Sequence, residues 1–203
     1  MPAARDIAEA SSLERWHGSR KAGSAPFDGS SGPPAPYLGS SGRSRACPAF
    51  QGFKTADSAP NAFESSCGGY GYDSRRVGSQ CYLISDPLNT NAPNAHGMDP
   101  VQIRDPTRTA MFCDCAFPQS FGNPKYLIEY SFAEAYFFVR DSPPVESGIV
   151  SPSIHFRHRG WVNVVWCDGH VSQERMTTPG PEKFTRFNIG WFGPPENSLF
   201  DPY

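Results

Sequence analysis

The densest apolar pattern in the chain lies at WVNVVWC, residues 161–167. Alternate residues of a strand point to opposite faces, and here both faces are mainly apolar. This pattern predicts a central strand that is covered on both sides. Asp168-Gly169 follows at once and is typical of a tight turn, because glycine accepts a positive φ and aspartate tolerates one. The more polar run VSQERM, 171–176, predicts a returning strand nearer the edge of the sheet.

Other runs predict further short strands. DPTRTAMFCDCAF predicts a strand over 109–117 that begins after a proline-containing turn. QCYLIS at 80–85 and SGIVSPSIHFRH at 147–158 predict extended pieces. KYLIEYSFAEAYFFV, 125–139, fits two structures: its aromatic content favours a strand, while LIEYSFAEA also suits a helix. The tail after Gly180 predicts an ordered extended segment, since its large apolar side chains need burial; these are Phe187, Ile189, Trp191 and Phe192.

The first 45 residues show little periodicity of hydrophobic and polar positions. SAPFDGSSGPPAPYLGSSGRSR is too rich in glycine, serine and proline for regular structure. A short helix is predicted over 5–16, with Ile7 and Leu13 as its aliphatic anchors. We therefore predict an irregular N-terminal segment over 1–45, followed by a single domain over 46–203.

Composition extends this picture to the whole chain. Glycine (19) and proline (21) exceed average usage, which indicates many turns, short strands and few long helices. A disordered chain would lack the 15 Phe, 8 Tyr and 4 Trp, so the loops are expected to cover a real core. The predicted fold class is α+β leaning to β-rich, with a loop-rich head and an antiparallel sheet.

Charge and hydropathy exclude several classes of protein. The formal net charge of -2 argues against a large electrostatic footprint for nucleic acid. The chain as given contains no apolar run long enough for a membrane span. Its first residues, MPAARDIAEASSLERW, lack the charged and apolar regions of a signal peptide.

The cysteines leave two interpretations open. No pair has the C-x-x-C spacing of a zinc motif. Disulfides in an exported domain are one interpretation, with Cys47, Cys67 and Cys81 as the candidates, although six cysteines allow fifteen pairings. The other interpretation is that some cysteines are small buried apolar side chains; it applies to Cys113, Cys115 and Cys167.

A set of motifs in register gives the chain a family resemblance. His158, nine further residues and then Asp168-Gly169 resembles the H-X9-DG signature of a large group of pilin-like proteins. GYGYD at 69–73 is similar to the family's Tyr-Gly-x-Asn element, with Asp73 where Asn is usual. Three further segments and the whole signature hairpin RHRGWVNVVWCDGHV agree in order, so the resemblance spans roughly residues 30–203; the segments are PYLG followed by CP, DPTRTAMFCDCAF and NIGWFGPPENSLFDP.

The resemblance implies a fold, a location and a role. It implies an extracytoplasmic, pilin-like or pseudopilin-like globular head with an antiparallel sheet. Type II secretion-like or surface-filament machinery is the family's usual association, so the implied partners are proteins, including like subunits in a filament. Family members normally begin with a prepilin leader and a hydrophobic helix. The chain as given lacks both, and MPAARD looks like the region just beyond that helix.

The polar residues around the signature support two interpretations. One is a metal site built from Asp168 and His170 with Asp114, because imidazole and carboxylate suit zinc. The other is a structural signature of His158, Asp168 and Gly169, in which the aspartate holds its own turn and the histidine pairs with Asp168 or a backbone carbonyl. At ~3.3 Å per residue, a straight strand separates His158 and Asp168 by about 30 Å, and by ~20 Å even if the chain turns at 159–160. We therefore expect His158 and Asp168 to have two different local roles.

Other chemistry has less support. Calcium is the alternative cation, since 86–100 and 194–203 are rich in oxygen ligands, but neither has the EF-hand spacing. There is no G-x-S-x-G elbow, and Cys167 belongs to an apolar strand, where thiols are usually inert. We predict no catalytic residues and no cofactor. The predicted function is a non-enzymatic structural or assembly protein; the alternatives are an extracytoplasmic binding module for a glycan or protein partner, and a metal-dependent enzyme.

Overall fold

The computed structural model describes residues 14–22, 25–38, 46–53, 66–73, 77–78, 98–118, 127–139, 146–149, 151–195 and 198–200. The strand predicted at 80–85 and residues 5–13 of the predicted helix lie outside these ranges. The strands are β1 (Glu14–Arg15), β2 (Gly18–Ser19), β3 (Tyr70–Tyr72), β4 (Ala110–Asp114), β5 (Phe117–Pro118), β6 (Leu127–Ile128), β7 (Phe137–Val139), β8 (Glu146–Ile149), β9 (Ile154–His155), β10 (Trp161–Trp166), β11 (Val171–Arg175), β12 (Thr178–Pro179) and β13 (Ile189–Trp191). Within the ranges given above, the helices are 3₁₀ turns at Ala35–Tyr37, Pro48–Phe53 and Pro100–Gln102 and one short α-helix, α1 (Glu182–Thr185).

The main sheet is antiparallel and has the order β11-β10-β4-β3. Short strands, many turns and few helices confirm the β-rich leaning of the predicted fold. Val164 of β10 pairs with Cys113 of β4, and a bulge follows between Val165 and Trp166. Strand β10 has neighbours on both sides, while β11 lies at an edge, as their apolar and polar patterns predicted.

Strand β10 is less completely covered than its sequence indicated. Val162 and Val164 are fully buried, and Trp166 is nearly so. The opposite face, which includes Trp161 and Val165, is only half-buried. The prediction that both faces are covered is therefore correct for one face and wrong for the other.

The turn after β10 has the predicted chemistry. The Gly169 N–H donates to the Trp166 carbonyl at 2.9 Å, and Gly169 has a φ of +90°. This geometry matches a three-residue hairpin loop that ends in a glycine at positive φ. The sequence Asp-Gly thus specifies where β10 stops and β11 begins.

A second, three-stranded sheet of order β12-β13-β9 orders the tail. Ile189 of β13 pairs with His155 of β9. Ile189, Trp191 and Phe192 are buried, and Phe187 is half-buried. The prediction of an ordered tail is confirmed within the described residues.

Residues 127–139 form extended structure and not a helix. After β6 the chain runs beside β3, since the Tyr72 N–H donates to Ser131 and the Ala133 N–H donates to Tyr72, at 3.0 and 2.9 Å. The residues between β6 and β7 also make a parallel bridge between Tyr72 and Phe132. The strand alternative is therefore the correct one. Pairing with the edge of the main sheet outweighs the helix propensity of LIEYSFAEA.

The N-terminal segment packs on the half-buried face of the main sheet. Glu14 and Arg15 form a strand, so the predicted helix over 5–16 is wrong at its C-terminal end. The Trp16 ring N–H donates to the Ser131 carbonyl at 2.8 Å, and the ring packs edge-on to Phe112. A cleft of about 380 Å³ remains between this segment and the sheet. Among the described residues, no helix is long and apolar enough to cross a membrane.

Candidate functional site

Asp168 and His170 form an exposed pair in the β10–β11 turn. The carboxylate accepts the backbone N–H of His170 at 3.0 Å and lies 2.6 Å from its ring Nδ1. These two contacts, the backbone one first, hold the pKa of Asp168 below its usual value. The His170 ring also stacks on Trp166. All of these interactions are local, and they close the hairpin.

Asp114 does not join this pair. The backbone N–H of Asn163 donates to Asp114 Oδ2 at 2.8 Å, near the start of β10. The turn end of β10 pairs instead with Ala110, through Trp166. Four residues of extended chain separate Ala110 from Asp114, which is about 13 Å. The metal site predicted from Asp168, His170 and Asp114 is therefore not assembled, because the strand register places Asp114 at the other end of β10.

His158 is the residue that meets Asp114. Its Nε2 lies 3.1 Å from Asp114 Oδ2. A tight turn makes this possible: His158 and Trp161 exchange backbone hydrogen bonds of 3.0 and 3.2 Å around Arg159 and Gly160. Both central residues have positive φ, +58° and +88°, as a type I′ turn requires. The expected partner of His158 was Asp168 or a carbonyl; that expectation is wrong.

Cys47 completes the cluster. Its Sγ lies 3.7 Å from His158 Nε2. The Cys47 backbone N–H donates to Gly68 at 2.9 Å, which fixes the residue at the entry to the 3₁₀ turn that starts at Pro48. Cys47 and Cys67 are both buried free thiols, so the proposed disulfide role is wrong for them, and Cys81 lies outside the described residues.

Arg157 lies beneath the cluster and was not singled out from the sequence. Its side chain is 1% exposed, and its Nε is 3.9 Å from Asp114 Oδ1. Its Nη2 donates to the carbonyls of Gly69 and Cys115, both at 2.7 Å, and its guanidinium stacks over Phe50. A buried carboxylate needs such a counter-charge. The sequence signal was an arginine directly before the signature histidine.

The cluster does not have the hydrogen-bond arrangement of a catalytic triad. In a triad the histidine uses one ring nitrogen for the nucleophile and the other for the carboxylate. Here Cys47 and Asp114 both contact the same atom, Nε2 of His158. A proton cannot be relayed through the ring in this arrangement. The convergence on one nitrogen suits either a shared hydrogen bond or a common ion.

The carboxylate of Asp114 has unused bonding capacity. Its side chain is 0% exposed, and among the described residues Oδ1 has no hydrogen-bond partner. Buried polar atoms are rarely left in this state, and each instance calls for an explanation. Together, Cys47, Asp114 and His158 place one sulfur, one oxygen and one nitrogen within 4.8 Å of one another.

Three further described cysteines, Cys113, Cys115 and Cys167, behave as unreactive thiols. Burial raises the pKa of Cys115 to about 12 and that of Cys167 to about 11. Burial also raises the pKa of Cys113 well above its usual value. At neutral pH these side chains are protonated and poor nucleophiles. Cys113 and Cys115 are buried as the small-hydrophobe alternative required, whereas Cys167 is half-buried.

The two segments considered for calcium are described only in part. In 86–100, Asp99 accepts the backbone N–H of Val101 at 3.1 Å and caps the adjoining 3₁₀ turn. In 194–203, Phe200 is buried in the core. These residues have structural roles, and the other potential oxygen ligands of 86–97 and 201–203 lie outside the described residues.

Comparison with known proteins returns no relatives for the chain. No family model matches it, and neither a curated protein nor a solved structure does so. The role of the chain must therefore be inferred from the side chains at the two ends of β10.

Proposed function

We propose that the chain is the globular head of a pilin-like or pseudopilin-like protein with a structural role in a surface or secretion assembly. The proposal rests on one observation: the H-X9-DG residues have two separate structural roles, one at each end of β10. His158 joins the start of β10 to β4 through Asp114, at 3.1 Å. Asp168 and Gly169 close the hairpin at the other end.

Both the His158–Asp114 contact and the Asp168-Gly169 turn hold the main sheet together. Neither end of β10 presents a nucleophile and base in a catalytic arrangement. The signature residues are therefore best explained as fold determinants, which a family of structural subunits would share. On this proposal the protein acts outside the cytoplasm, its partners are proteins, including like subunits, and it is not an enzyme.

Localisation in the source organism tests the proposal. The native gene product is followed with an antibody through cytosolic, envelope and surface-sheared fractions, with a cytosolic enzyme as the marker. We expect the protein in the envelope or sheared fraction, and crosslinking there to join it to copies of itself or to similar subunits. Recovery with the cytosolic marker alone would overturn the proposal.

A second candidate is an extracytoplasmic binding module. It is favoured by the cleft of about 380 Å³, whose lining includes Trp16, Tyr70 and Phe112. Aromatic rings in a cleft give apolar contact area with polar edges, as a sugar or a peptide side chain requires. A glycan array probed with the purified chain and with Trp16→Ala separates the two: binding that is lost in the variant supports the module.

A further inference from the structure

We propose that Cys47, Asp114 and His158 bind a zinc ion and leave a fourth coordination position open to water. Such a site would use the His158–Asp114 pair on which the proposed function also rests, but metal binding is tested separately from the surface role. It is supported by three ligand types that zinc accepts, thiolate, carboxylate and imidazole, drawn from three distant parts of the chain.

Two of the three distances between the ligand atoms fit tetrahedral zinc, and the third, from Cys47 Sγ to the Asp114 oxygen, lies within 4.8 Å. Bonds of about 2.3 Å to sulfur and about 2.0 Å to nitrogen and oxygen, at tetrahedral angles, separate sulfur from nitrogen by about 3.5 Å and nitrogen from oxygen by about 3.3 Å. The observed separations are 3.7 Å for Cys47 Sγ to His158 Nε2 and 3.1 Å for that nitrogen to Asp114 Oδ2. An ion therefore requires only small adjustments at these two separations.

The surroundings of the ligands also suit an ion. The oxygen that would bind the ion is Asp114 Oδ2, which lies 3.1 Å from His158 Nε2 and also accepts the Asn163 N–H at 2.8 Å, an orienting contact of the kind that supports metal ligands. Asp114 Oδ1 is buried without a hydrogen-bond partner among the described residues, so the carboxylate retains capacity for a further ligand. The Arg157 guanidinium, 3.9 Å from Asp114 Oδ1, supplies a counter-charge for the carboxylate.

Access is from one side. His158 is 25% exposed, while Cys47 and Asp114 are buried. The ion thus sits against the protein with its open position towards solvent, where water is the fourth ligand. Three protein ligands and one water is the pattern of open zinc sites, whereas closed structural sites have four protein ligands.

The ligand set favours zinc over calcium. Calcium takes six to eight oxygen ligands, and only one of these three residues offers oxygen. Binding requires Cys47 to lose its thiol proton to solvent, so Zn²⁺ enters and H⁺ leaves. It also requires the lone pair of His158 to be on Nε2, so that the ring proton is on Nδ1.

Metal titration of the purified chain tests the site. The protein is stripped with a chelator and titrated with Zn²⁺ by calorimetry, then with Co²⁺ by absorption spectroscopy. We expect one zinc per chain and a thiolate-to-cobalt charge-transfer band. Cys47→Ser is expected to abolish the band, and His158→Ala is expected to weaken zinc binding more than about 100-fold.

Cys167→Ser is the matched control, because it makes the same chemical change at the other end of β10 and should leave both signals unchanged. A readout on the unmodified chain is independent of variant folding: zinc should protect Cys47 from alkylation, as mapped by peptide mass spectrometry. Absence of stoichiometric zinc binding, or a cobalt band that survives Cys47→Ser, would overturn the proposal. Protection of Cys167 in place of Cys47 would do the same.

Discussion

Each end of β10 carries a contact between an aspartate and a histidine, and burial makes the two contacts different. At the start, Asp114 is 0% exposed and lies 3.1 Å from His158. At the end, Asp168 and His170 are 31% and 47% exposed and lie 2.6 Å apart. The shorter contact is the one that contributes less to stability, because water screens an exposed pair. Removing a partner from a buried network leaves a charge that water cannot reach.

The largest expected effect comes from removing the counter-charge of the buried pair. Arg157→Met leaves Asp114 without its guanidinium and removes the hydrogen bonds that Nη2 donates to the carbonyls of Gly69 and Cys115. We expect a loss of about 3–5 kcal/mol in the free energy of unfolding, measured by urea denaturation. The control is Arg159→Met on the exposed turn, with an expected change of less than about 0.5 kcal/mol. Equal losses of unfolding free energy in the two variants would refute the prediction that the buried arginine contributes more to stability than the exposed one.

A third histidine, His17, shows how burial changes a histidine pKa when no carboxylate in the described part of the chain is its partner. His17 is 4% exposed, and neither ring nitrogen has a hydrogen-bond partner among the described residues. Burial, followed by the charges of Arg15 and Arg20, lowers the pKa of His17 to about 4. The unfolded chain therefore takes up this proton first, and stability falls as pH decreases from about 6.5 to about 4.

The size of that loss is about 3 kcal/mol at pH 4, since each unit of pKa difference is worth about 1.4 kcal/mol. Unfolding in urea at a series of pH values measures it. His17→Phe keeps a ring in the same space, between Trp16 and Phe27, and removes the titration. The pH dependence of this variant should be flatter by that amount, and an unchanged slope would contradict the assignment.

The two turns of β10 should respond alike to the same substitution. Gly160 and Gly169 have φ values of +88° and +90°, and a Cβ added to either would meet no atom within 4 Å. Alanine at either position therefore tests backbone conformation alone. We expect each variant to lose about 1–2 kcal/mol. A clear inequality in thermal denaturation would show that one turn also depends on its Asp–His contact.

The smallest effect is expected at the exposed pair. The pKa of Asp168 is held down first by the His170 backbone N–H and then by its ring. His170→Ala keeps the backbone donor, so NMR titration should show only a partial return of the Asp168 pKa towards its usual value. Because the folded pKa is depressed, the associated stability is present above the unfolded pKa and disappears as pH falls through the folded pKa. A full return would assign the whole effect to the ring.

Local chemistry makes some of these features predictable. The alternation in 161–167 identifies β10, and Asp168-Gly169 identifies its turn, because both signals come from adjacent residues. Arg159-Gly160 is likewise visible in the sequence as a place where the chain can fold back. Residues 125–139 could not be decided, since pairing with β3 selected a strand from a sequence that suits either structure.

The site itself depends on contacts that no local pattern reveals. Cys47 and His158 are 111 residues apart, and Asp114 and Asn163 are 49 apart. Only the register of β4 on β10 determines that Asp114 faces His158 and not His170. A shift of one residue would turn Asp114 to the other face of the sheet. The sequence prediction therefore included Asp114 but combined it with the wrong histidine and missed Cys47.

The position of β4 in the middle of the main sheet also has a consequence for the growing chain. Strand β4 ends at residue 114, but its partner β10 begins at residue 161, so the ribosome must add almost fifty residues before the sheet can close. During that interval β3 is the one strand of the described main sheet that can pair with β4. Sheets with such distant pairings typically fold in about milliseconds to seconds. The nascent protein is therefore exposed to aggregation for longer than one built from neighbouring hairpins, and it should be a good client for chaperones that hold unfinished chains.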